Sequence, residues 1–164
     1  MNKTIMSADT TSSPAPSTQD ALAVLRADHR RADALFADYA RLIGGPASAA
    51  DRSAMISRIG ALLRAHSQIE AELFYPALGD DGSDIDHAQA DHDRMLSELE
   101  RLAARAPGGA GVDGQVAQLS KAFKAHAAFE ESRLFPRAAG LDLAALGARL
   151  AVRRGELLGD QGYD

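Results

Sequence analysis

Cysteine is absent from this 164-residue chain. Without thiols the protein can form neither disulfides nor the thiolate sites that hold zinc and iron–sulfur clusters, and a cysteine nucleophile is excluded as well. Any metal that the chain binds must therefore be held by histidine, carboxylate and water.

Positive charge is in short supply too, with 18 Lys and Arg against 23 Asp and Glu, which gives a net charge of −5. Nucleic acids and anionic membranes need an excess of basic residues on one surface, so neither is expected as a partner. No apolar run approaches the roughly 18 residues that span a bilayer, and residues 1–17 lack the apolar core of a secretory signal. A soluble, cytoplasmic protein is the expectation.

The ends of the chain differ in composition from its middle. Residues 1–18 are rich in Ser, Thr, Pro and Ala without periodicity, which predicts a disordered tail. Residues 19–158 carry apolar side chains at helical spacing and have the length of one domain. Residues 159–164 are expected to fray.

Glycine-rich breaks at 44–46, 79–82 and 107–111 divide this domain into four helical segments. A shorter leucine-rich segment follows at 141–158. The pattern predicts an all-α fold, an up-down-up-down four-helix bundle with a short fifth C-terminal helix.

The domain also contains an internal repeat. Ala-Asp-His-Arg-Arg at 27–31 matches Ala-Asp-His-Asp-Arg at 90–94, and a His-x3-Glu pattern recurs at 66–70 and 126–130. A proline follows each of the two glutamates six residues later and is expected to kink or end its helix. Two similar helical hairpins should therefore present the same three polar groups to a shared interior.

Six of these repeated polar residues interrupt the inward apolar stripes of the four predicted helices. They are His29, His66, Glu70, His92, His126 and Glu130. A His and a Glu four residues apart lie within about 40° of each other around a helix, so each pair points the same way. Burying ionisable groups in an apolar seam is costly unless a cation neutralises them.

Imidazole with carboxylate and no thiolate suits iron, with manganese and zinc as less favoured competitors. The two-fold repeat assigns His29 and His66 to one ion and His92 and His126 to the other. The two glutamates then bridge the pair.

Other polar residues near the six have competing interpretations. His87 lies about 140° around its helix from His92 and is predicted to be on the surface. Glu72 and Glu131 are predicted to face solvent. Asp28 and Asp91 could orient an imidazole N–H, but exposed charge is the favoured interpretation. Tyr39 and Tyr75 are interpreted as packing residues without a chemical role.

The order His, His-x3-Glu, His, His-x3-Glu on four helices resembles the hemerythrin-like family, whose members are also called HHE cation-binding domains. The similarity covers residues 20–158 and includes Leu-Phe-Tyr-Pro at 73–76 and Leu-Phe-Pro at 134–136. It implies two iron ions bridged by carboxylates and an oxo or hydroxo group. Dioxygen, peroxide or nitric oxide are the small-molecule partners that it implies.

The chain departs from the dioxygen-carrying members of that family, which have two histidines four apart on the third helix and an Asp five residues after the last histidine. Here Ala88 and Glu131 occupy these two positions. A protein that reacts with or senses dioxygen, peroxide or nitric oxide in a stress or redox response is therefore favoured over an oxygen carrier. An iron reservoir or iron-dependent binding module, a reversible carrier and a metal-free interaction domain remain alternatives, and whether the protein is an enzyme is left open.

Overall fold

A computed structural model describes residues 20–79, 82–105 and 108–159, and within these ranges the protein is helical without β-strands. The predicted tail at 1–18 and the last five residues lie outside the described ranges. Within these ranges six α-helices follow one another: α1 Ala21–Ile43, α2 Ala49–Ile69, α3 Tyr75–Leu78, α4 Gly82–Ala103, α5 Val112–Phe129 and α6 Leu143–Leu158.

Local hydrogen bonds define the start of several of these helices. The Asp20 carboxylate accepts from the backbone N–H of Ala23 at 2.7 Å at the start of α1. Ser48 and Asp51 form a reciprocal capping box at the start of α2. At the start of α5 the chain turns at Gly111, whose φ of +82° favours glycine.

The four long helices α1, α2, α4 and α5 form the bundle, and α6 packs across α1 and α2. The arrangement confirms the predicted all-α four-helix bundle, and α6 is the short C-terminal helix that was predicted as the fifth. None of the helices in the described part of the chain is long and apolar enough to cross a membrane.

The core consists of two apolar clusters with a polar layer between them. One cluster includes Phe36, Leu63, Met95 and Phe123, which lie on one side of the six polar residues along the helices. The other cluster includes residues on the opposite side and is completed by α6. Its members include Leu25, Ile69, Ala88, Leu134 and Leu150.

The helices do not end at the polar layer but widen there. Segments Glu70–Phe74 and Glu130–Leu134 each form one turn of π-helix, followed by α3 in the first hairpin and by a 3₁₀-helix, Phe135–Gly140, in the second. Pro76 and Pro136 are the second residues after these turns. The prolines were expected to kink or end their helices. The helix type changes at these turns, and the helical stretches end at Leu78 and Gly140, two and four residues beyond the prolines.

Candidate metal centre

The six predicted residues converge in the interior between the two apolar clusters. His29 and His92 are each 4% exposed, and the other four are at most 1% exposed. Two overlapping groups, each with its ligand atoms within 4.8 Å of one another, have the spacing of a metal site. They are His66, Glu70, His92 and His126, and His29, His66, Glu70 and Glu130.

Each glutamate lies between two histidines that come from different hairpins. The Oε2 atom of Glu70 is 3.2 Å from His66 Nε2 and 3.3 Å from His92 Nε2. The Oε2 atom of Glu130 has the corresponding neighbours, His29 Nε2 at 3.2 Å and His126 Nε2 at 3.4 Å. Both carboxylates thus connect the two halves of the repeat.

The two carboxylates have opposite electrostatic surroundings. Burial, together with the nearby charge of Glu130, raises the pKa of Glu70 well above its ordinary value. Burial would also raise the pKa of Glu130, but its contacts with the His126 and His29 imidazoles outweigh that effect and hold the pKa well below the ordinary value. Without a cation, the surroundings therefore disfavour the ionised form of Glu70 and favour that of Glu130.

Burial also shifts the pKa values of the imidazoles. It lowers the pKa of His66, and it lowers the pKa of His92 to about 2, with the neighbouring His126 contributing. Burial alone would lower the pKa of His29, yet hydrogen bonds with Glu130 and Glu131 raise it. Neutral imidazole is the form in which histidine binds metals.

Many polar atoms in this layer lack a hydrogen bond although they are buried. They are both ring nitrogens of His66 and of His126, Nε2 of His92 and Oε1 of Glu70. An unsatisfied buried polar group costs about 1–3 kcal/mol, and more when it is charged. A cation contacting these atoms would remove that cost, and their nitrogen and oxygen donors fit iron, manganese or zinc.

Aromatic rings close the layer. The hydroxyl of Tyr75 donates to Glu130 Oε1 at 2.6 Å, and its oxygen lies 3.3 Å from Glu70 Oε2. The Tyr75 ring stacks on His92 with centroids 6.0 Å apart. Phe135 stacks on His29 with centroids 5.8 Å apart. The interpretation of Tyr75 as packing alone was therefore incomplete, because its hydroxyl contacts both carboxylates.

Two acidic residues also differ from their interpretation. Asp28 is 1% exposed, so the favoured interpretation as exposed charge was wrong. Glu131 is partly exposed, as predicted, but its carboxylate also forms a 2.8 Å hydrogen bond with His29 Nδ1. The repeated Ala-Asp-His was a signal for Asp28. The family resemblance marked the position of Glu131, but it did not indicate a contact with His29 on another helix.

The remaining predictions concern exposed side chains. His87 is 53% exposed, which confirms its surface position, and its ring packs on Phe129 with centroids 4.5 Å apart. The side chain of Asp91 is 19% exposed and lies 3.8 Å from His126 Nδ1. Glu72 is 38% exposed and contacts Arg153 on α6.

Comparison with known proteins agrees with this fold. No curated protein matches the chain. A crystal structure of a hemerythrin HHE cation binding domain-containing protein from Mycobacterium kansasii superimposes with a TM-score of 0.75 at 25% identity, covering 86% of this chain and 88% of that one. The family model described as Hemerythrin HHE cation binding domain matches residues 20–138, and the chain belongs to that family.

Proposed function

We propose that the six converging residues hold two iron ions. His29 and His66 would bind one ion, His92 and His126 the other, and Glu70 and Glu130 would bridge them. The observation that carries this proposal is the position of each glutamate oxygen, which lies within 3.4 Å of one histidine from each pair.

The ring positions support the same assignment. Centroids within the two proposed pairs, His29 with His66 and His92 with His126, are 5.0 and 4.3 Å apart. His66 lies farther from the histidines of the other pair, at 5.7 Å from His92 and 6.2 Å from His126. The interior therefore divides into two groups of imidazoles with carboxylates between them.

We further propose that the centre reacts with or senses dioxygen, peroxide or nitric oxide. When bound, iron would supply the redox chemistry that these molecules require. The position four residues before His92 is Ala88, which is fully buried and offers no ligand. With only six protein ligands for two ions, small molecules can occupy the remaining coordination positions.

The chain's own residues would control the surroundings of that chemistry. Phe123 and Phe135 contact His29 and, with the burial of the layer, exclude bulk water. Tyr75 keeps its proton, because burial and the nearby Glu70 raise its pKa far above the ordinary value. It would therefore orient Glu130 by donating a hydrogen bond to it, while its oxygen stays in contact with Glu70.

The test begins with protein produced with iron available. We expect close to two iron ions per chain and Mössbauer spectra of a magnetically coupled pair. After anaerobic reduction, mixing with dioxygen, peroxide or nitric oxide should produce new absorption bands, and the rate of peroxide consumption reports whether the protein turns over. The variant His126→Ala should lose the pair, whereas His87→Ala, on the surface, should retain it.

Iron far below two per chain would contradict the proposed centre. An intact pair whose absorption does not respond to any of the three small molecules would contradict the proposed reactivity alone. The two parts of the proposal are thus tested separately.

A further inference from the structure

Helix α6 lies beyond the residues that match the family, yet two of its arginines reach the surroundings of the metal centre. Arg153 contacts the carboxylate of Glu72, in the π-turn that begins with Glu70, at 2.7 and 3.1 Å. Arg154 places its Nε 2.9 Å from Oδ1 of Asp28 on α1. Helix α6 is therefore connected to the centre by charge as well as by apolar packing.

Asp28 lies directly behind one of the proposed ligands. Its Oδ2 atom is 3.9 Å from Nδ1 of His66, while Nε2 of the same ring faces Glu70 at 3.2 Å. Both side chains are 1% exposed, and neither oxygen of Asp28 nor Nδ1 of His66 has a hydrogen bond. The contact of Oδ1 with Arg154 is an ion pair. A buried carboxylate and a buried ring nitrogen that face each other gain most by sharing the imidazole proton between them.

A proton on Nδ1 determines what the other side of the ring can do. It leaves the lone pair on Nε2, the atom that faces the interior, so His66 is ready to bind a metal there. Asp28 itself needs a countercharge, because a buried carboxylate without one is costly. Arg154 provides that charge from α6.

The second half of the repeat has an equivalent carboxylate, that of Asp91, but a different set of residues contacts it. Asp91 Oδ2 lies 3.8 Å from His126 Nδ1, but Asp91 is 19% exposed. Its other polar neighbours, Arg94 and His87 at 3.5 Å, lie on the same helix. Among the described contacts, no residue of α6 reaches it.

We propose that Asp28, held by Arg154, is a positioning residue that fixes the tautomer and orientation of His66. Through this contact α6 makes the half of the centre that contains His66 different from the half that contains His126. The inference rests on the proposed di-iron function for its metal readout.

The test uses the full chain with the variants Asp28→Ala, Arg154→Gln and Arg154→Lys. Arg153→Gln is the matched control, because it also removes a contact between α6 and the bundle but leaves Asp28 untouched. Iron binding is followed by ferrous titration and by Mössbauer spectroscopy, which separates the two iron positions. Asp28→Ala should weaken ferrous binding about 10- to 100-fold, the usual effect of losing such a partner.

The effect of Asp28→Ala should appear mainly in one of the two Mössbauer signals, that of the iron bound by His66. Arg154→Gln should alter the same signal by a smaller factor, and Arg154→Lys should restore it. Arg153→Gln should lower the melting temperature without altering either signal. Equal effects of Arg154→Gln and Arg153→Gln, or equal changes at both iron positions, would overturn the inference.

A second readout does not depend on iron. Nitrogen-15 NMR of the histidine rings in the metal-free and zinc-loaded chain should show His66 with its proton on Nδ1, and Arg154→Gln should broaden or shift that signal. If the wild type binds no iron pair, the proposed function fails and NMR alone decides the role of Asp28. A proton on Nε2 of His66 in the wild-type chain would overturn that role.

Discussion

Two aromatic residues occupy equivalent places in the repeat but differ by one hydroxyl group. Tyr75 and Phe135 each follow their glutamate by five residues and stack on a histidine of the opposite hairpin. Only Tyr75 can donate a hydrogen bond to the carboxylates. At the level of single residues the two halves of the centre are therefore chemically unequal.

We predict that Tyr75→Phe destabilises the metal-free protein by about 2 kcal/mol. Phenylalanine fills almost the same volume, but the ionised Glu130 loses the donor at 2.6 Å that its buried Oε1 needs. Urea unfolding at neutral pH, with chelator present, measures this loss.

Tyr39→Phe is the matched control for this prediction. Its hydroxyl also donates to a carboxylate, Oδ1 of Asp113 at 2.6 Å, but that carboxylate is 41% exposed and can be solvated by water. We expect a cost of about 1 kcal/mol or less there. If Tyr75→Phe lowered the free energy of unfolding no more than Tyr39→Phe does, the buried hydrogen bond would contribute no more than an exposed one.

The convergence of the six polar residues was predictable because each interrupts an apolar stripe and because the hairpins repeat. Such periodicity reports which face of a helix a residue occupies. It does not report what the neighbouring helix places opposite that face. Asp28 and Glu131 have contacts on other helices, with His66 and His29, so their surroundings follow only from the packed structure.

At the level of secondary structure, the π-turns explain how the centre acquires its aromatic walls. In each, the N–H of the residue after the turn, Tyr75 or Phe135, bonds to the carbonyl five residues earlier, that of Glu70 or Glu130. This pattern brings residues five apart onto the same face, whereas in an α-helix they lie about 140° apart. The sequence marked these places only by their prolines, which predict an irregularity but not its type.

The capping box of α2 gives a prediction about the helix that carries His66 and leads into the π-turn of Glu70. Ser48 accepts from the N–H of Asp51 at 3.1 Å, and the Asp51 carboxylate accepts from the N–H of Ser48 at 2.9 Å. Ser48→Ala should lower the free energy of unfolding by about 1 kcal/mol. Thermal or urea unfolding of the metal-free protein measures the change.

Ser57 provides the control on the same helix. It is exposed within α2, and its hydroxyl bonds to the carbonyl of Ser53 at 3.1 Å. Ser57→Ala should leave stability unchanged or raise it slightly, because alanine favours the helix interior. If both variants had the same stability as the wild type, the capping box would contribute nothing to this helix.

For the whole molecule, the polar layer divides what would otherwise be one apolar core. The two clusters on either side bury their side chains well, but the layer between them holds six ionisable groups with several unsatisfied atoms. The bundle can fold around this layer because each carboxylate has histidine or tyrosine neighbours. Metal binding should nevertheless stabilise the folded state strongly, since an unfolded chain does not bring these ligands together.

We therefore predict that removing metal lowers the melting temperature of the whole domain. A ligand at 100 times its dissociation constant stabilises the folded state by about 2.7 kcal/mol. For a domain of this size that corresponds to roughly 5–10 °C. Calorimetry of the iron-loaded and chelator-treated chain measures the difference.

Two histidine variants show where that stabilisation comes from. His126→Ala removes a fully buried proposed ligand and should abolish the iron-dependent rise in melting temperature. His87→Ala removes a side chain that is 53% exposed and should preserve the rise in full. A rise that survived in His126→Ala would mean that iron stabilises the protein from some other place, since the polar layer would then lack one of its four imidazoles.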